Sequence, residues 1–324
     1  MANQFTSVAT TPGLGDNTVK TAYDLAINWV YRAQPTCRQW VNQHPVQQQS
    51  MPGSAVVLQK YNYWAQAEID NAKVPLSEEN DVDSTKLPAT STVTLNFNEY
   101  GKMVTSTRKL HLMSFADVDM AAAKIIADNM YRVLDSLIQD VMLQGTNVIY
   151  SGTSNAATAD VAAGDKLTAS NIRLAHTRLA NRSVPKMDGN FYAGYAHPHV
   201  IHDLREETGS GSWRVPNEYG TSQTKIWNGE FGEFEGIRFV TNNLAYTAAD
   251  GTSSERIYRT YIQGPEAITE GILWPFGFAV GPVTDNFGRF KKVGWYGLGG
   301  WCLYRDESLQ RIESASSVSW VAPV

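Results

Sequence analysis

Three closely spaced histidines are the residues of this chain whose type and spacing best suit chemistry. His197, His199 and His202 lie in Phe191–Leu204, a segment predicted to form a strand and then a helix that begins at Pro198. On that helix, His199 and His202 are three residues apart and share one face. Two imidazoles placed in this way can bind one metal ion, so a metal-dependent enzyme is one hypothesis for the function.

Other features of the sequence weigh against a metal site at these histidines. Asp203 and Glu206 could supply oxygen ligands, but the sequence contains neither an HExxH motif nor paired cysteines. Histidines at the start of a helix more often make ordinary hydrogen bonds. We therefore predict no metal ligands, no catalytic residues and no cofactor-binding residues. The protein is expected not to be an enzyme and to need no cofactor.

A glycine-rich stretch near the C-terminus has only a superficial likeness to a nucleotide-binding loop. Gly294, Gly297, Gly299 and Gly300 do not have the GxGxxG spacing, and tryptophan and tyrosine lie among them where a phosphate needs open backbone. Neither GxxxxGK[ST] nor GxSxG occurs in the chain. The alternation of glycine with aromatic residues instead indicates closely packed strands.

The cysteines and the acidic loop residues offer no recognisable site either. Cys37 and Cys302 are far apart and lack CxxC spacing, which leaves a disulfide between them open. Cys37 is predicted to be a packed thiol within a helix. The acidic residues of Glu78–Asp83 do not have the spacing of an EF-hand loop. A solvated loop or a salt-bridge surface between subunits is the preferred interpretation.

The composition favours a protein whose surface becomes covered by assembly. Of its 324 residues, 43% are apolar and 11% aromatic, and only 18% are charged, against a typical charged fraction of about 25%. A monomer with a large aromatic core is the alternative. The net charge of −5 gives no global attraction for nucleic acid. No apolar stretch is long enough to predict a membrane span or a secretion signal, so we expect synthesis in a cytoplasm.

The strongest predicted element is a helix at Phe115–Gln144. Apolar residues recur at three- and four-residue steps between Val118 and Val141, Ser114 and Asp117 fit a capping box, and a glycine follows as a stop. At 1.5 Å per residue such a helix is about 45 Å long. A spine across a domain is the preferred interpretation, and a coiled coil is the alternative.

Upstream of this helix, two strand-like runs are separated by a long polar connection. Ala55–Ile69 and Thr90–Leu110 contain alternating apolar positions, and about twenty loop residues lie between them. Connections of that length are uncommon inside a compact domain, and an isolated hairpin is marginally stable in water. The hairpin is therefore predicted to project onto a partner surface. A hairpin folded onto its own core is the alternative.

Shorter patterns predict the remaining elements. Gly229, Gly232 and Gly236 punctuate apolar runs and predict tight turns that lead into a strand. Residues 1–20 suit an extended arm. The other predicted elements are helices at Ala22–Trp40 and Thr168–Asn181, a strand at Arg256–Ile262, and further strands within 272–324.

Five blocks of the sequence, in order, resemble the major capsid proteins of tailed phages with the HK97 fold. The most specific blocks are Tyr192–Leu204, around Ala-His-Pro-His, and Ile226–Val240, around Asn-Gly-Glu-Phe-Gly-Glu-Phe-Glu-Gly. Residues 1–54 and the end after about 280 match weakly. The other three blocks are Asn98–Val104, similar to the strand before the family's spine helix; Leu143–Tyr150, similar to the exit from that helix; and Thr168–Pro185, similar to the next helix.

This resemblance implies an α+β, HK97-like capsid fold with four parts. In such a fold the extended hairpin lies on a neighbouring subunit. The implied parts are an N-terminal arm (1–54), an extended β-hairpin loop (55–110), a peripheral domain (111–165 and 276–324) built on a spine helix (115–144), and an axial domain (166–275).

The resemblance also implies a structural function. The chain is expected to self-assemble into hexamers and pentamers of an icosahedral phage head around double-stranded DNA, which it contacts weakly and without sequence preference. Further implied partners are a separate scaffolding protein, a portal and optional decoration proteins, with no membrane. The implied location is the virion capsid, assembled in the cytoplasm of a bacterial host. An encapsulin-like compartment shell, which encloses enzymes rather than DNA, is the alternative with the same fold.

Overall fold

The computed structural model describes residues 37–45, 53–76, 78–79, 81, 84–114, 118–187, 189–207, 230–282 and 285–320, without the side chains of 118–121 and 230–233. Most of the predicted N-terminal arm, including the extended segment 1–20 and most of the helix Ala22–Trp40, lies outside these ranges. The described part of the arm contains a 3₁₀ turn at Cys37–Trp40 and one short strand.

The described residues combine strands and helices throughout. The strands are β1 (Asn42–His44), β2 (Ala55–Lys60), β3 (Ser91–Asn96), β4 (Asn98–Thr107), β5 (Val148–Tyr150), β6 (Tyr192–Ala196), β7 (Glu230–Phe234), β8 (Ile237–Thr241), β9 (Thr247–Ala248), β10 (Ile257–Gln263), β11 (Ile268–Val280), β12 (Phe290–Leu303) and β13 (Leu309–Ser314). The helices are α1 (Gln66–Ala72), α2 (Arg108–Met113), α3 (Val118–Leu143), α4 (Ala169–Asn181) and α5 (Pro198–Glu206).

The larger sheet has the strand order β5-β13-β10-β6-β8-β7, with β9 paired to one end of β10. Helix α4 packs on it through Ile172, Ala175 and Leu179, which are fully buried as predicted. All seven residues of β10 are buried. This strand confirms the one predicted at Arg256–Ile262. Neighbouring elements cover both of its faces, so buried and exposed positions do not alternate along it.

The smaller sheet has the order β1-β11-β12-β4, and α3 crosses it. Ile126 of α3 packs against Val293 and Trp295 of β12. The Trp295 indole N–H donates to the Asn129 side-chain oxygen at 3.0 Å, which fixes the helix along the strand. None of the helices in the described residues has both the length and the apolarity needed to cross a membrane.

Helix α3 confirms the predicted spine. It covers Val118–Leu143, 26 residues, which corresponds to about 39 Å. Its inner face includes the fully buried Ile138 and Met142. Ser114 lies at the C-terminal end of α2, and Asp117, its partner in the predicted capping box, lies outside the described residues.

The predicted hairpin is present, but its two strands are shorter than the sequence suggested. β2 and β3 pair antiparallel over six residues each. The prediction of a strand through Ile69 was wrong, because Gln66–Ala72 folds as α1, a segment rich in good helix formers. The run Thr90–Leu110 also divides. Its second part, β4, pairs with β12 of the smaller sheet and not with β2, and α2 follows.

Strand pairing crosses the boundaries of the four predicted parts. β5 and β13 come from segments expected in the peripheral domain, but both lie in the larger sheet beside strands of the expected axial domain. β11 begins in the expected axial segment and pairs in the smaller sheet. The sheets are therefore built from segments distant in sequence, and the division into four parts stays a prediction.

Candidate assembly surfaces

The three candidate histidines lie where β6 leads into α5, but each has its own partner. His197 is the N-cap of α5, and its Nδ1 accepts the backbone N–H of His199 at 3.2 Å. Nδ1 of His199 lies 2.9 Å from the hydroxyl of Tyr258. His202 is exposed, and its Nε2 is 3.6 Å from Glu206. These contacts are the ordinary hydrogen bonds and ion pairs expected of histidines in the first turns of a helix.

Burial gives the innermost histidine a structural role. Burial, with a smaller contribution from His199, lowers the pKa of His197 to about 4. Burial also lowers the pKa of His199. A neutral His197 keeps a ring nitrogen lone pair for the end of α5, whereas a protonated ring would have no acceptor to offer.

One group of side chains near α5 has suitable atoms for a cation. Ligand atoms of His202, Asp203 and Glu206 lie within 4.8 Å of one another. However, the Asp203 carboxylate accepts the backbone N–H of Ser317 at 3.0 Å and also its hydroxyl. Its Oδ1 lies 3.7 Å from the ammonium of Lys166. Asp203 thus ties the C-terminal segment to α5.

The four glycines near the C-terminus all lie inside β12 and pack closely. A Cβ atom at Gly297 would lie 2.2 Å from the ring of Phe276, and one at Gly299 would lie 2.9 Å from it. At Gly300 it would lie 2.0 Å from the carbonyl oxygen of Asn96. Glycine is needed here so that an aromatic ring and a neighbouring strand can approach, as the strand interpretation of this stretch predicted.

The thirty residues between β2 and β3 expose many apolar side chains. We call this segment, Tyr61–Thr90, the hairpin connection. Tyr63 is 83% exposed and Leu87 is 82% exposed. Helix α1, which lies within the connection, has no buried residue. Further exposed apolar residues are Tyr61, Trp64, Ile69, Val74 and Leu76. Large exposed apolar side chains concentrated in one segment are typical of a surface that contacts another protein.

The base of this hairpin is fixed to the body of the subunit. Nζ of Lys60 donates to both carboxylate oxygens of Glu307 at 2.8 Å. Burial favours a higher pKa for Glu307, but the hydrogen bond from Lys60, a backbone hydrogen bond and the positive charges of Lys60 and Arg305 together lower that pKa. The Tyr304 hydroxyl donates to the carbonyl oxygen of Gln59 at 3.0 Å. The apolar part of the base consists of Leu58, Leu95 and Cys302.

A second exposed apolar surface lies at the outer end of the smaller sheet. We call it the sheet tip and define it as residues 99–113 and 285–292, which meet where β4 pairs with β12. Helix α2, within the tip, has no buried residue, and its Leu112 is 79% exposed. The other exposed apolar residues of the tip are Met103, Val104, Leu110, Met113, Phe287 and Phe290.

A buried carboxylate holds the end of the N-terminal arm. Asp135 on α3 is fully buried. Its Oδ1 accepts the backbone N–H of Cys37 at 2.9 Å, and its Oδ2 accepts the side-chain amides of Gln139 and Asn242, both at 2.9 Å. The Tyr195 hydroxyl, whose pKa is raised by burial, donates to the carbonyl oxygen of Cys37 at 3.0 Å. Cys37 and Cys302 are both buried, and no disulfide joins them.

The Gly-Thr-Asn turn after α3 is a structural joint. The backbone N–H of Thr146 donates to the Asp306 carboxylate at 3.0 Å, and so does its hydroxyl. The side-chain oxygen of Asn147 accepts a hydrogen bond from Arg182 at 2.6 Å, and its carbonyl oxygen accepts one from Gln310 at 2.9 Å. The turn therefore connects α3 with β13 and α4.

The turn between β7 and β8 shows why a glycine stands at position 236. Phe234 pairs with Ile237, so the loop has two residues. Both have positive φ, 52° at Glu235 and 73° at Gly236. Such a turn matches the twist of the flanking strands. Gly229, another of the predicted turn glycines, lies outside the described residues.

Sequence reasoning missed the sheet tip, the pairing of Lys60 with Glu307 and the role of Asp135. Lys60 and Glu307 are 247 positions apart, so no local pattern links them. The sequence contains one weak indication of a polar contact at Asp135. This residue stands four positions before Gln139 on a helix that is otherwise apolar on its inner face.

Comparisons with known proteins identify phage capsid proteins as similar to this chain. A family model described as phage capsid protein matches residues 68–274. No curated protein sequence matches the chain. The capsid of Ralstonia phage GP4 superimposes with a TM-score of 0.74 at 13% identity, over 97% of this chain and 100% of that one. The cyanophage Pam1 capsid gives 0.72 at 11%, over 98% and 100%. The acid-stable capsid of Helicobacter pylori bacteriophage KHP30 gives 0.68 at 10%, over 96% and 99%.

Proposed function

We infer the mode of assembly from one premise: the chain belongs to the phage capsid protein family. It has the α+β, HK97-like fold of phage capsids. It is a major capsid protein, a structural component of the virion capsid that associates with further copies of itself.

We propose that these copies form hexamers and pentamers, which close an icosahedral head. The observation that carries this proposal is the hairpin connection, which projects from a fixed base and exposes tyrosine, tryptophan and leucine side chains. In an isolated subunit this segment gains no free energy from apolar burial, because its apolar area stays in contact with water. Covering that area on a neighbour is a head-to-tail contact, and such a contact generates a closed ring when its rotation closes.

We further propose the four-part organisation of the subunit and its other partners. The arm (1–54), the hairpin loop (55–110), the peripheral domain (111–165 and 276–324) and the axial domain (166–275) are the proposed parts. The proposed partners are double-stranded DNA, contacted weakly and without sequence preference, a separate scaffolding protein, a portal and optional decoration proteins. Assembly is proposed to take place in the bacterial cytoplasm. The protein is proposed to have no catalytic activity.

The first test is negative-stain electron microscopy of the purified protein after size-exclusion chromatography. We expect closed shells or capsomer rings, alone or after addition of the scaffolding protein. Nuclease-protected DNA within particles from infected cells would support a phage head, whereas protein cargo and no DNA would favour a compartment shell. A subunit that stays monomeric at all concentrations, with and without scaffold, would contradict the proposed assembly.

A variant separates the hairpin connection from the rest of the fold. Residues 63–88 are replaced by Asn-Gly, which keeps β2, β3 and the hydrogen bond from Asn62 to the carbonyl oxygen of Ala89. We expect this variant to retain its circular dichroism spectrum and to lose particle formation. Intact particles of unchanged stability would show that the connection does not join subunits.

A further inference from the structure

A cavity of about 500 Å³ lies between the base of the hairpin and the body of the subunit. Its walls come from four segments that are distant in sequence. They are the end of β2 with the first residues of the hairpin connection, the end of α4, the turn between β10 and β11, and the turn between β12 and β13. Cavities that bind small organic molecules have volumes of about 300–1,000 Å³, and the volume of this cavity lies within that range.

The walls of this cavity carry an excess of positive charge. The cations that line it are Lys60, Arg182 and Arg305, and the carboxylates are Glu266 and Glu307, which leaves a net charge of +1. Lys60 pairs with Glu307, and Nε of Arg305 lies 2.9 Å from Glu266. Because each carboxylate is already paired, the charge that remains in the walls is that of Arg182.

Arg182 has only neutral partners in the described part of the chain. One of its terminal nitrogens donates to the side-chain oxygen of Asn147 at 2.6 Å, and the other donates to that of Gln310 at 3.4 Å. The residue is half-buried at the C-terminal end of α4. A guanidinium that is partly removed from water is stabilised by an anion, and its planar set of donors matches carboxylate and phosphate groups. Arg182 therefore favours an anionic ligand in this cavity.

Aromatic and apolar side chains line other parts of the cavity. Tyr61 is 70% exposed and Tyr63 is 83% exposed, and both belong to the hairpin connection. Val184, Pro185 and Pro265 add apolar surface from the body of the subunit. Exposed aromatic rings are surfaces on which nucleobases stack, because every base has a π-face. The cavity thus combines an unpaired cation with flat surfaces for a ring.

We propose that this cavity binds a nucleoside monophosphate, with the phosphate at Arg182 and the base against Tyr61 or Tyr63. A phosphate monoester carries a charge of about −1.5 to −2 at neutral pH, so it compensates a buried cation more fully than one carboxylate does. The base supplies the planar ring that inorganic phosphate lacks. Since the tyrosines belong to the hairpin and Arg182 to the body, the bound nucleotide also holds the hairpin in place.

Isothermal titration calorimetry of the unassembled subunit tests this site, with AMP, adenosine and inorganic phosphate as titrants. We expect AMP to bind roughly tenfold or more tightly than either part alone, because two parts joined in one molecule lose their translational freedom only once. We also expect AMP to slow amide hydrogen exchange in β2 and at the end of α4. Absence of AMP binding would overturn the proposal. Phosphate that binds as tightly as AMP would overturn the recognition of a base.

Two substitutions at Ser183 assign the binding to this cavity. Ser183 lines the cavity, is exposed and has a φ of 56°, which aspartate and asparagine adopt readily. Ser183→Asp adds a negative charge to the wall, and Ser183→Asn, the matched control, adds a side chain of similar size without charge. We expect Ser183→Asp to weaken AMP binding roughly tenfold or more, and Ser183→Asn to change it by less than about threefold. Equal affinities for the two variants would place the nucleotide elsewhere and overturn the proposal.

Competition with duplex DNA distinguishes a small ligand from a nucleic acid. The bases of a duplex are stacked inside the helix, and its phosphates are diesters with one charge each. Duplex DNA should therefore not displace AMP from the cavity at an equal concentration of nucleotides. Complete displacement would mean that Arg182 belongs to a surface for the DNA backbone, and this result would overturn the proposed ligand.

Discussion

Asp135 shows at the scale of one residue how this subunit fixes its arm. A buried carboxylate is costly unless its oxygen atoms are hydrogen-bonded. Here the three donors come from the arm, the spine helix and the loop after β8. The position of Cys37 therefore depends on a polar contact that has one geometry, whereas apolar packing would tolerate several.

We predict that Asp135→Ala strongly destabilises the subunit. The change leaves Cys37 N–H and the amides of Gln139 and Asn242 buried without their acceptor, and we expect a loss of about 3 kcal/mol or more in the free energy of unfolding. Urea denaturation of the unassembled subunit measures this free energy of unfolding. Asp140→Ala, on the exposed side of the same helix, is the control and should change it by less than about 0.5 kcal/mol. Equal midpoints for both variants would contradict the role of Asp135.

We predict that His197 makes stability fall in acid. Its pKa is lowered to about 4 in the folded state, chiefly by burial. The unfolded chain takes up the proton near pH 6.5. Between these values the unfolded state binds more protons, so stability is complete above about pH 6.5 and declines towards pH 4. The loss reaches at most about 3 kcal/mol.

The substitution His197→Asn isolates this effect. Asparagine also caps a helix but does not titrate. We expect the free energy of unfolding to fall less between pH 7 and pH 4.5 in the variant than in the wild type. Denaturant titrations at the two pH values measure, for each protein, the slope of the free energy of unfolding against pH. Parallel slopes would mean that other groups cause the acid sensitivity.

At the scale of elements, the ion pair between Lys60 and Glu307 controls how firmly the hairpin is attached. We predict that Lys60→Met lowers overall stability by only about 0.5–1 kcal/mol, because Glu307 is largely exposed. Amide hydrogen exchange in β2 and β3 should nevertheless become faster, while exchange in the buried β10 stays unchanged. Lys73→Met, which breaks an ion pair within the hairpin connection, is the control. Unchanged exchange in β2 and β3 would show that the apolar base suffices.

The elements also show what the sequence could predict. The spine helix was visible because a 3.6-residue pattern persists over its whole length, and α4 and α5 had clear boundaries at Thr168 and Pro198. Helix α1 was missed because alternating tyrosines suggested that β2 continued. β10 lost its expected alternation because neighbours cover both faces. The pairing of β4 with β12 joins segments almost 200 positions apart, and no local pattern specifies it.

Of the candidate assembly surfaces, the sequence predicted one and missed the other. The resemblance indicated a hairpin that reaches a neighbour, and the acidic residues of its connection were noted in the sequence. The sheet tip was not predicted, because its residues come from two distant segments that only the pairing of β4 with β12 brings together.

At the scale of the whole molecule, the unassembled subunit and the particle should differ in exposed apolar surface. Among the residues that the structure describes, the hairpin connection and the sheet tip expose fourteen large apolar side chains, for example Tyr63, Leu87 and Leu112. Patches of this size bind hydrophobic dyes such as ANS. We predict that ANS fluorescence per subunit falls roughly severalfold when subunits enter particles, because assembly removes this surface from water.

A variant assigns the dye signal to the hairpin connection. Tyr63→Ser, Leu76→Ser and Leu87→Ser together remove three of its most exposed apolar residues. Since these side chains contribute little to the subunit's own core, the variant should fold with nearly wild-type stability. It should bind less ANS as a subunit and form fewer particles. If the variant binds as much dye as the wild type and assembles equally well, the surface that drives association lies elsewhere on the subunit.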